Sequence, residues 1–158
     1  MVTMEQAAGE FLGARRIAVT GVSRTRNGHG GNTVLLGLRA RGFEVFPVNP
    51  NADEVEGEKC YHDLDAIPGG VDAVVVATRP DAAEQTVRDC ERLGIKQVWL
   101  HRSMGGGSVS PAAVQYGKEH GVRVIAGGCP LMFGTGADRG HRVMRMVCRL
   151  TGAVPRQV

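Results

Sequence analysis

Short apolar segments alternate with helix-like segments along the whole chain, and this alternation limits the fold more than any other feature of the sequence. Near-continuous apolar runs of this length are typical of strands buried on both faces of a parallel sheet. The five runs are RIAVT (16–20), FEVFPV (43–48), VDAVVVAT (71–78), KQVWLH (96–101) and VRVIAG (122–127). The pattern predicts an α/β fold, namely a Rossmann-like, doubly wound, parallel five-stranded sheet with the strand order 3-2-1-4-5.

Helix signals lie on either side of these runs. Thr3 and Gln6 are spaced as a capping box before a helix at about 4–13, and a last helix is predicted at about 138–150. The chain has 158 residues, no internal repeat and no linker. We therefore predict a single domain, residues 1–158, whose core covers 15–137.

Composition and charge argue against several classes of protein. Aromatic residues make up 4% and the net charge is +3, whereas nucleic-acid-binding proteins are usually more basic and richer in aromatics. No apolar run approaches the about 20 residues that span a membrane, and the first residues lack a signal-peptide pattern. The four cysteines form no C-x-x-C pair, so no metal site is predicted. We expect a cytoplasmic protein that binds neither nucleic acid nor a membrane.

A glycine-rich loop, VTGVSRTRNGHGGNT (19–33), follows the first strand and precedes a helix. In a doubly wound sheet, ligands bind beyond the carboxyl ends of the strands, and a helix N-terminus offers N–H groups and a positive dipole to a phosphate. Glycines let the backbone approach the ligand, and arginines add positive charge. The loop therefore predicts a phosphate site that includes Gly21, Ser23, Arg24, Arg26, Gly30 and Asn32.

The loop departs from the usual dinucleotide-binding pattern. G-x-G-x-x-G is broken, because Ser23 stands two residues after Gly21. An NAD site would also have Asp or Glu at the end of the second strand, where this chain has PVNP (47–50). NADP fits better than NAD, since the arginines would tolerate an additional phosphate. VTGVSR is also similar to short-chain dehydrogenases, but the chain lacks their catalytic Y-x-x-x-K, which disfavours hydride transfer.

Five segments together resemble a known family. They are IAVTGVSR, GFEVFPVNPNADEVEGEKCY, VDAVVVATRP, LGIKQVWLH and GVRVIAGGCPLM. In order and spacing, over roughly residues 13–135, they resemble the CoA-binding family, free-standing relatives of the CoA-binding domain of the succinyl-CoA synthetase alpha subunit. The resemblance implies a Rossmann-like fold that holds coenzyme A by its adenosine and phosphates.

The same resemblance implies which residues would contact the ligand. Gly21, Val22, Ser23 and Arg24 would wrap the phosphates, together with Asn32 and the helix start. The adenosine side would be lined by Val48, Asn49, Pro50 and Asn51. The opposite wall would be closed by Thr78, Arg79 and Pro80, with Arg79 either a phosphate contact or a solvated loop arginine.

We therefore predict a protein that binds CoA or an acyl-CoA without catalysis of its own, and we name no catalytic residue. The synthetase's second domain, which carries its phosphorylated histidine, has no counterpart among the 158 residues. Two alternatives stay open, an NADP-dependent reductase and a CoA-binding subunit of a larger acyl-CoA ligase complex. A protein partner or a homodimer also stays open.

Two features have no assigned role in this interpretation. Cys129, in GGCP, could approach the ligand with His29, His101 or His141, but a small residue in a tight turn is the simpler interpretation. The last predicted helix has two sides, one with Arg139, Arg142, Arg145 and Arg149 and the other with Val143, Met146, Val147 and Leu150. This pattern predicts a solvated basic face, and leaves open whether the apolar side is buried or contacts a second copy.

Overall fold

A parallel five-stranded sheet forms the centre of the computed structural model, which describes residues 1–25, 30–103 and 107–158. Its strands are β1 (Arg16–Thr20), β2 (Glu44–Val48), β5 (Ala73–Val76), β6 (Gln97–Leu100) and β7 (Arg123–Ala126). A small antiparallel hairpin, β3 (Glu54–Val55) and β4 (Glu58–Lys59), follows β2. The described helices are α1 (Met4–Phe11), α2 (Gly30–Ala40), α3 (Pro80–Arg92), α4 (Pro111–His120) and α5 (Arg139–Leu150), with a 3₁₀ turn at Pro130–Met132.

The predicted Rossmann-like α/β class is confirmed, but the strand order differs in one respect. The sheet runs β2-β1-β5-β6-β7, or 2-1-3-4-5 when its strands are counted along the chain, instead of 3-2-1-4-5. The third strand, β5, pairs with β1 and not with β2. Pro47 gives the physical reason, because it has no N–H to donate and so suits an edge strand. The outer side of β2 is bridged at one pair in the described residues, Val48–Tyr61.

Two hydrophobic clusters cover the two faces of the sheet. Because successive strand residues point to opposite faces, Val98 enters the cluster beneath α3 and α4, and Trp99 enters the one beneath α1 and α2. The Trp99 ring packs edge-on against Phe11, with centroids 5.2 Å apart, and its indole N–H donates to the Gly127 carbonyl at 2.9 Å. The capping box predicted at Thr3 and Gln6 is present at the start of α1.

Helix α5 exposes its apolar side. Cys148 is buried and Met144 packs partly against the core, whereas the four large apolar side chains on the other side lie on the surface: Val143, Met146, Val147 and Leu150. The basic side is solvated in part, since Arg139 and Arg142 are exposed as predicted. Among the helices of the described ranges, none is both long and apolar enough to cross a lipid bilayer.

Candidate functional site

A cavity of about 520 Å³ opens at the carboxyl ends of β1, β5 and β6. The residues that line it are Gly21, Gly30, Gly31, Ala77, Thr78, Arg79, His101, Ser103, Gly107 and Ser108. Volume alone does not single it out, because a groove beside Gly13 and Arg41 measures about 560 Å³. Its position does, since it lies between β1 and β5, where the direction of winding reverses and where doubly wound sheets bind ligands.

Glycine at position 21 is required by a close approach of two backbones. Gly21 has a φ of +77°, and a Cβ added there would overlap the backbone of Ala77 and Thr78 at the end of β5. At Gly31 an added Cβ would lie 3.1 Å from the Ala77 Cβ. These contacts bring the bare start of α2 against the end of β5, so main-chain groups form this wall of the cavity.

Asn32 lies behind the glycine-rich loop and fixes its shape. The side chain is fully buried; its Oδ1 accepts from the Ser23 N–H at 2.7 Å, and its Nδ2 donates to the Ser23 carbonyl at 2.9 Å. The same amide also donates to Glu56 Oε1 at 3.0 Å, which ties the loop to the hairpin β3–β4. Asn32 thus lies outside the cavity wall and holds the backbone of Ser23 and Thr25, where Arg24 is exposed. Arg26, which was predicted for the same site, lies outside the described residues.

The turn after β2 is tied to the same loop. Asn49 Nδ2 donates to the Val22 carbonyl at 2.8 Å, and Asn49 Oδ1 accepts from the Asn51 N–H at 2.8 Å. Val22 and Val48 are buried, whereas Pro50 and Asn51 are exposed. The predicted adenosine side and phosphate side are therefore neighbours, although residues 48–51 flank the cavity and do not line it.

Thr78 and Arg79 line the cavity at the end of β5, whereas Pro80, predicted for the same wall, does not. Arg79 is the N-cap of α3 and Pro80 its first residue, so the chain turns sharply away from the sheet here. The Arg79 side chain is 86% exposed and pairs loosely with Asp81 at 3.3 Å, which leaves it able to swing over the cavity. The Thr78 carbonyl accepts a hydrogen bond from the Ser108 hydroxyl, which attaches the loop after β6 to this wall.

His101 lines the cavity, although the sequence singled it out only as a neighbour of Cys129. It follows β6, and a Cβ added at Gly30 would lie 3.2 Å from its Cε1, so the imidazole lies against the start of α2. Burial lowers the pKa of His101 to about 4, and the ring is neutral at pH 7. The signal for this role was its position, a histidine directly after a central strand at the carboxyl edge.

The Cys129 thiol does not line the cavity. It is buried, and burial raises its pKa to about 12, so the thiolate needed for nucleophilic chemistry is not formed near neutral pH. His141 pairs instead with Asp138 at 2.8 Å, and His29 lies outside the described residues. Over residues 1–25, 30–103 and 107–158, no group of three or more His, Cys, Asp or Glu side chains is arranged to hold a metal ion.

The parallel sheet, the glycine turn before α2 and the cavity at the reversal of winding define a Rossmann-like ligand-binding protein. Within that class, the chain belongs to the CoA binding domain family, which it matches over residues 15–135. The family predicted from the sequence segments is thereby confirmed.

Relatives of two kinds match the chain. One is the ADP-forming acetate–CoA ligase II of Archaeoglobus fulgidus, which is 30% identical over 70% of this chain. That match covers 18% of the ligase, so the chain spans less than a fifth of its length. Another is the uncharacterized protein YneT of Bacillus subtilis, 31% identical over 73% of this chain and 82% of YneT.

A solved structure of similar extent has the same fold. It is a hypothetical protein from Pyrococcus horikoshii OT3, with a TM-score of 0.74 and 27% identity. The match covers 91% of this chain and 93% of that one. The fold described above is thus found in a protein of nearly the same length.

Proposed function

We propose that this chain binds coenzyme A or an acyl-CoA at the cavity between β1, β5 and β6, without transforming it. The observation that supports this most strongly is that all the lining residues of the cavity lie within the part of the chain, 15–135, that matches the CoA binding domain family. Its volume of about 520 Å³ lies in the usual range for small-molecule sites, roughly 300–1,000 Å³.

The phosphates would lie at the start of α2. Gly30 and Gly31 offer main-chain N–H groups there at the positive end of an 11-residue helix dipole. Arg24, in the loop before α2, and Arg79, at the end of β5, are both exposed and can bring guanidinium groups to the phosphate oxygens. In this proposal Asn32 acts indirectly, by holding the loop in the shape that the pyrophosphate needs.

The adenosine would lie over the turn after β2, formed by Val48, Asn49, Pro50 and Asn51. An NAD ribose would be recognised there by an acidic side chain, but Asn49 occupies the position and both of its amide atoms already bond to the backbone. This turn therefore supplies shape and apolar contact and no ribose-binding carboxylate. That difference supports CoA over a nicotinamide dinucleotide.

A second role, as the CoA-binding part of a larger acyl-CoA ligase, is favoured by one observation, the match to the acetate–CoA ligase of A. fulgidus. This role includes CoA binding by the same cavity. Co-purification of the chain with an ATP-grasp protein would support this second role. Isolation of the chain without such a protein would leave CoA binding as the only proposed role.

Isothermal titration of ligand-stripped protein tests the proposal, with CoA in one experiment and NADPH in a parallel one. We expect micromolar binding of CoA and none of NADPH. Arg24→Ala and Arg79→Ala should each weaken CoA binding by about 10-fold or more, because a hydrogen bond to a charged group contributes about 1.5–3 kcal/mol. Arg15→Ala is the matched control, since Arg15 is exposed before β1, at the opposite edge of the sheet. Binding of NADPH alone, or an Arg15→Ala loss equal to the others, would contradict the proposal.

A further inference from the structure

The large apolar side chains on the surface are concentrated on one helix. Val143, Met146, Val147 and Leu150 of α5 are 57%, 61%, 48% and 85% exposed, and among the described residues only Met1 and Leu93 join them. They recur at i, i+3, i+4 and i+7, which aligns them along one side of the helix. We call these four residues the α5 stripe.

The stripe belongs to a helix that is firmly attached on its other side. Cys148 is buried, the Arg145 guanidinium lies 5.2 Å from the centre of the Phe133 ring, and Arg149 pairs with Glu5 of α1. The helix N-terminus is capped by Asp138, whose Oδ1 accepts from the His141 N–H at 2.8 Å. The exposure of the stripe is therefore a property of the packed helix. A contiguous apolar patch on a helix attached in this way marks an interaction surface.

We propose that the α5 stripe is a homodimer interface, in which two copies of α5 pack antiparallel about a two-fold axis. In a two-fold interface both copies use the same surface. If residue i of one copy contacts residue j of the other, then residue j of the first copy also contacts residue i of the second. With the axis between Met146 and Val147, Val143 of one copy faces Leu150 of the other, and Met146 faces Val147. Each pair combines a smaller with a larger apolar side chain, so the packing is even along the helix.

The charges at the two ends of α5 favour this orientation. Arg139 and Arg142 lie at the start of the helix, and the structure gives neither an ion pair with a described carboxylate. The last turn, which ends at Leu150, has backbone carbonyls at the negative end of the helix dipole. Antiparallel packing brings the arginines of each copy to this end of the other. Parallel packing would instead place Arg139 beside its own counterpart.

The same distribution of charge favours a second copy over a membrane surface as the partner of the α5 stripe. Helices that lie on anionic bilayers are rich in Lys and Arg on their polar face. On α5, Arg145 and Arg149 are engaged by Phe133 and Glu5, and the edge of the stripe opposite Arg142 has Gly140 and Thr151. A second copy would cover the apolar stripe and would bring the negative end of its own α5 near Arg139 and Arg142.

The size of the surface sets the expected affinity. A helix of 12 residues is about 18 Å long, and stable complexes usually bury about 800 Å² on each partner. A single helix pair buries less than that, so we expect a dimer that dissociates in the micromolar range. The dimer must therefore be measured as a function of concentration.

Sedimentation velocity between about 1 and 200 μM tests the proposal. The wild-type chain should approach twice its mass of 16.8 kDa at the upper end. Met146→Glu should stay monomeric throughout, and its thermal midpoint at about 1 μM, where the wild type is also mainly monomeric, should be unchanged because the side chain is exposed. Leu93→Glu, which changes an exposed leucine at the end of α3, is the matched control and should dimerise like the wild type. A wild-type chain that is monomeric at 200 μM, or a dimer that survives Met146→Glu, would overturn the proposal.

Cysteine cross-linking tests the orientation. Val143→Cys protein mixed with Leu150→Cys protein should form a disulfide-linked dimer under mild oxidation by copper phenanthroline, because the two positions face each other in the antiparallel pair. Each variant alone should cross-link much less. Efficient cross-linking of Val143→Cys with itself would indicate parallel helices and contradict the model of the interface. Flotation of the wild-type chain with phosphatidylserine vesicles, abolished by Met146→Glu, would assign the stripe to a membrane surface and overturn the dimer.

Discussion

At the scale of single residues, His101 links the cavity to the stability of the fold. Its imidazole lines the cavity against the start of α2, and burial lowers its pKa from 6.5 to about 4. The unfolded chain binds this proton near pH 6.5, whereas the folded chain does not bind it until the pH approaches 4. The neutral ring therefore contributes stability that is complete above pH 6.5 and is lost as the pH falls towards 4.

We predict that this single group lowers the free energy of unfolding by about 3 kcal/mol between pH 6.5 and 4, at 1.36 kcal/mol for each pKa unit. His101→Gln should remove this part of the pH dependence, because glutamine does not titrate. Urea unfolding at several pH values in this window measures the effect. Subtracting the free energy of unfolding of His101→Gln from that of the wild type at each pH removes the contribution of the carboxylates, which both proteins share. Equal slopes for the wild type and His101→Gln would contradict the prediction.

At the scale of elements, the sequence predicted the strands and most helices but not their arrangement in full. The run RIAVT is β1 to the residue, and FEVFPV differs from β2 only by Phe43, because buried strands need unbroken apolar runs. The order of the strands depends on where the polar segment between β2 and β5 crosses the sheet, and its composition does not encode that path. Pro47 was the available signal, because a central strand needs an N–H at each position.

The candidate site, too, was predictable from the sequence in part only. The glycine turn was predictable, since strand, glycine and helix follow one another directly, and Gly21, Gly30, Thr78 and Arg79 do line the cavity. The contribution of Ser103 and Ser108 to the cavity could not be predicted, because both residues belong to a loop that has no periodic pattern. That the α5 stripe points outward was also not predictable, because Met144 and Cys148 provide a second apolar side that the core uses instead.

Two helical glycines give a prediction about how helices pack on the sheet. A Cβ added at Gly117 of α4 would overlap the Val124 side chain of β7 and lie 2.8 Å from the Val122 carbonyl oxygen, whereas one added at Gly9 of α1 meets nothing within 4 Å. Gly117→Ala should therefore destabilise the protein by about 1–3 kcal/mol, as overpacking does. Gly9→Ala should stabilise it by about 0.5–1 kcal/mol, because alanine is the better helix former.

Thermal and urea unfolding of the two variants measures both effects. Gly9→Ala also serves as the matched control, because the same substitution is made in a helix with room for the added methyl group. Stabilisation by both substitutions would mean that α4 moves away from β7 at little cost, and would contradict the packing described for Gly117.

At the scale of the whole molecule, residues 153–158 return across the fold to the start of α1. The Gly128 N–H donates to the Ala153 carbonyl at 2.9 Å, the Met4 N–H to the Arg156 carbonyl at 3.1 Å, and the Val158 N–H to the Val2 carbonyl at 3.1 Å. Ala153 and Val154 are buried in the cluster that contains Trp99 and Phe11. This segment joins the end of β7 to α1, and so closes the face of the sheet beneath α1 and α2.

We predict that a chain lacking residues 153–158 unfolds with a free energy lower by about 3–5 kcal/mol, since each lost hydrogen bond contributes about 1 kcal/mol and the apolar surface beneath Val154 meets water. Arg156→Ala is the control, because its exposed side chain is removed while its backbone carbonyl still accepts from Met4; its effect should stay within about 0.5 kcal/mol. Urea unfolding measures the loss, and hydrogen exchange at the Met4 and Gly128 amides locates it. Because no residue of this segment lines the cavity, CoA affinity of the folded fraction should be unchanged, and an unaltered unfolding midpoint would mean that the segment does not close the fold.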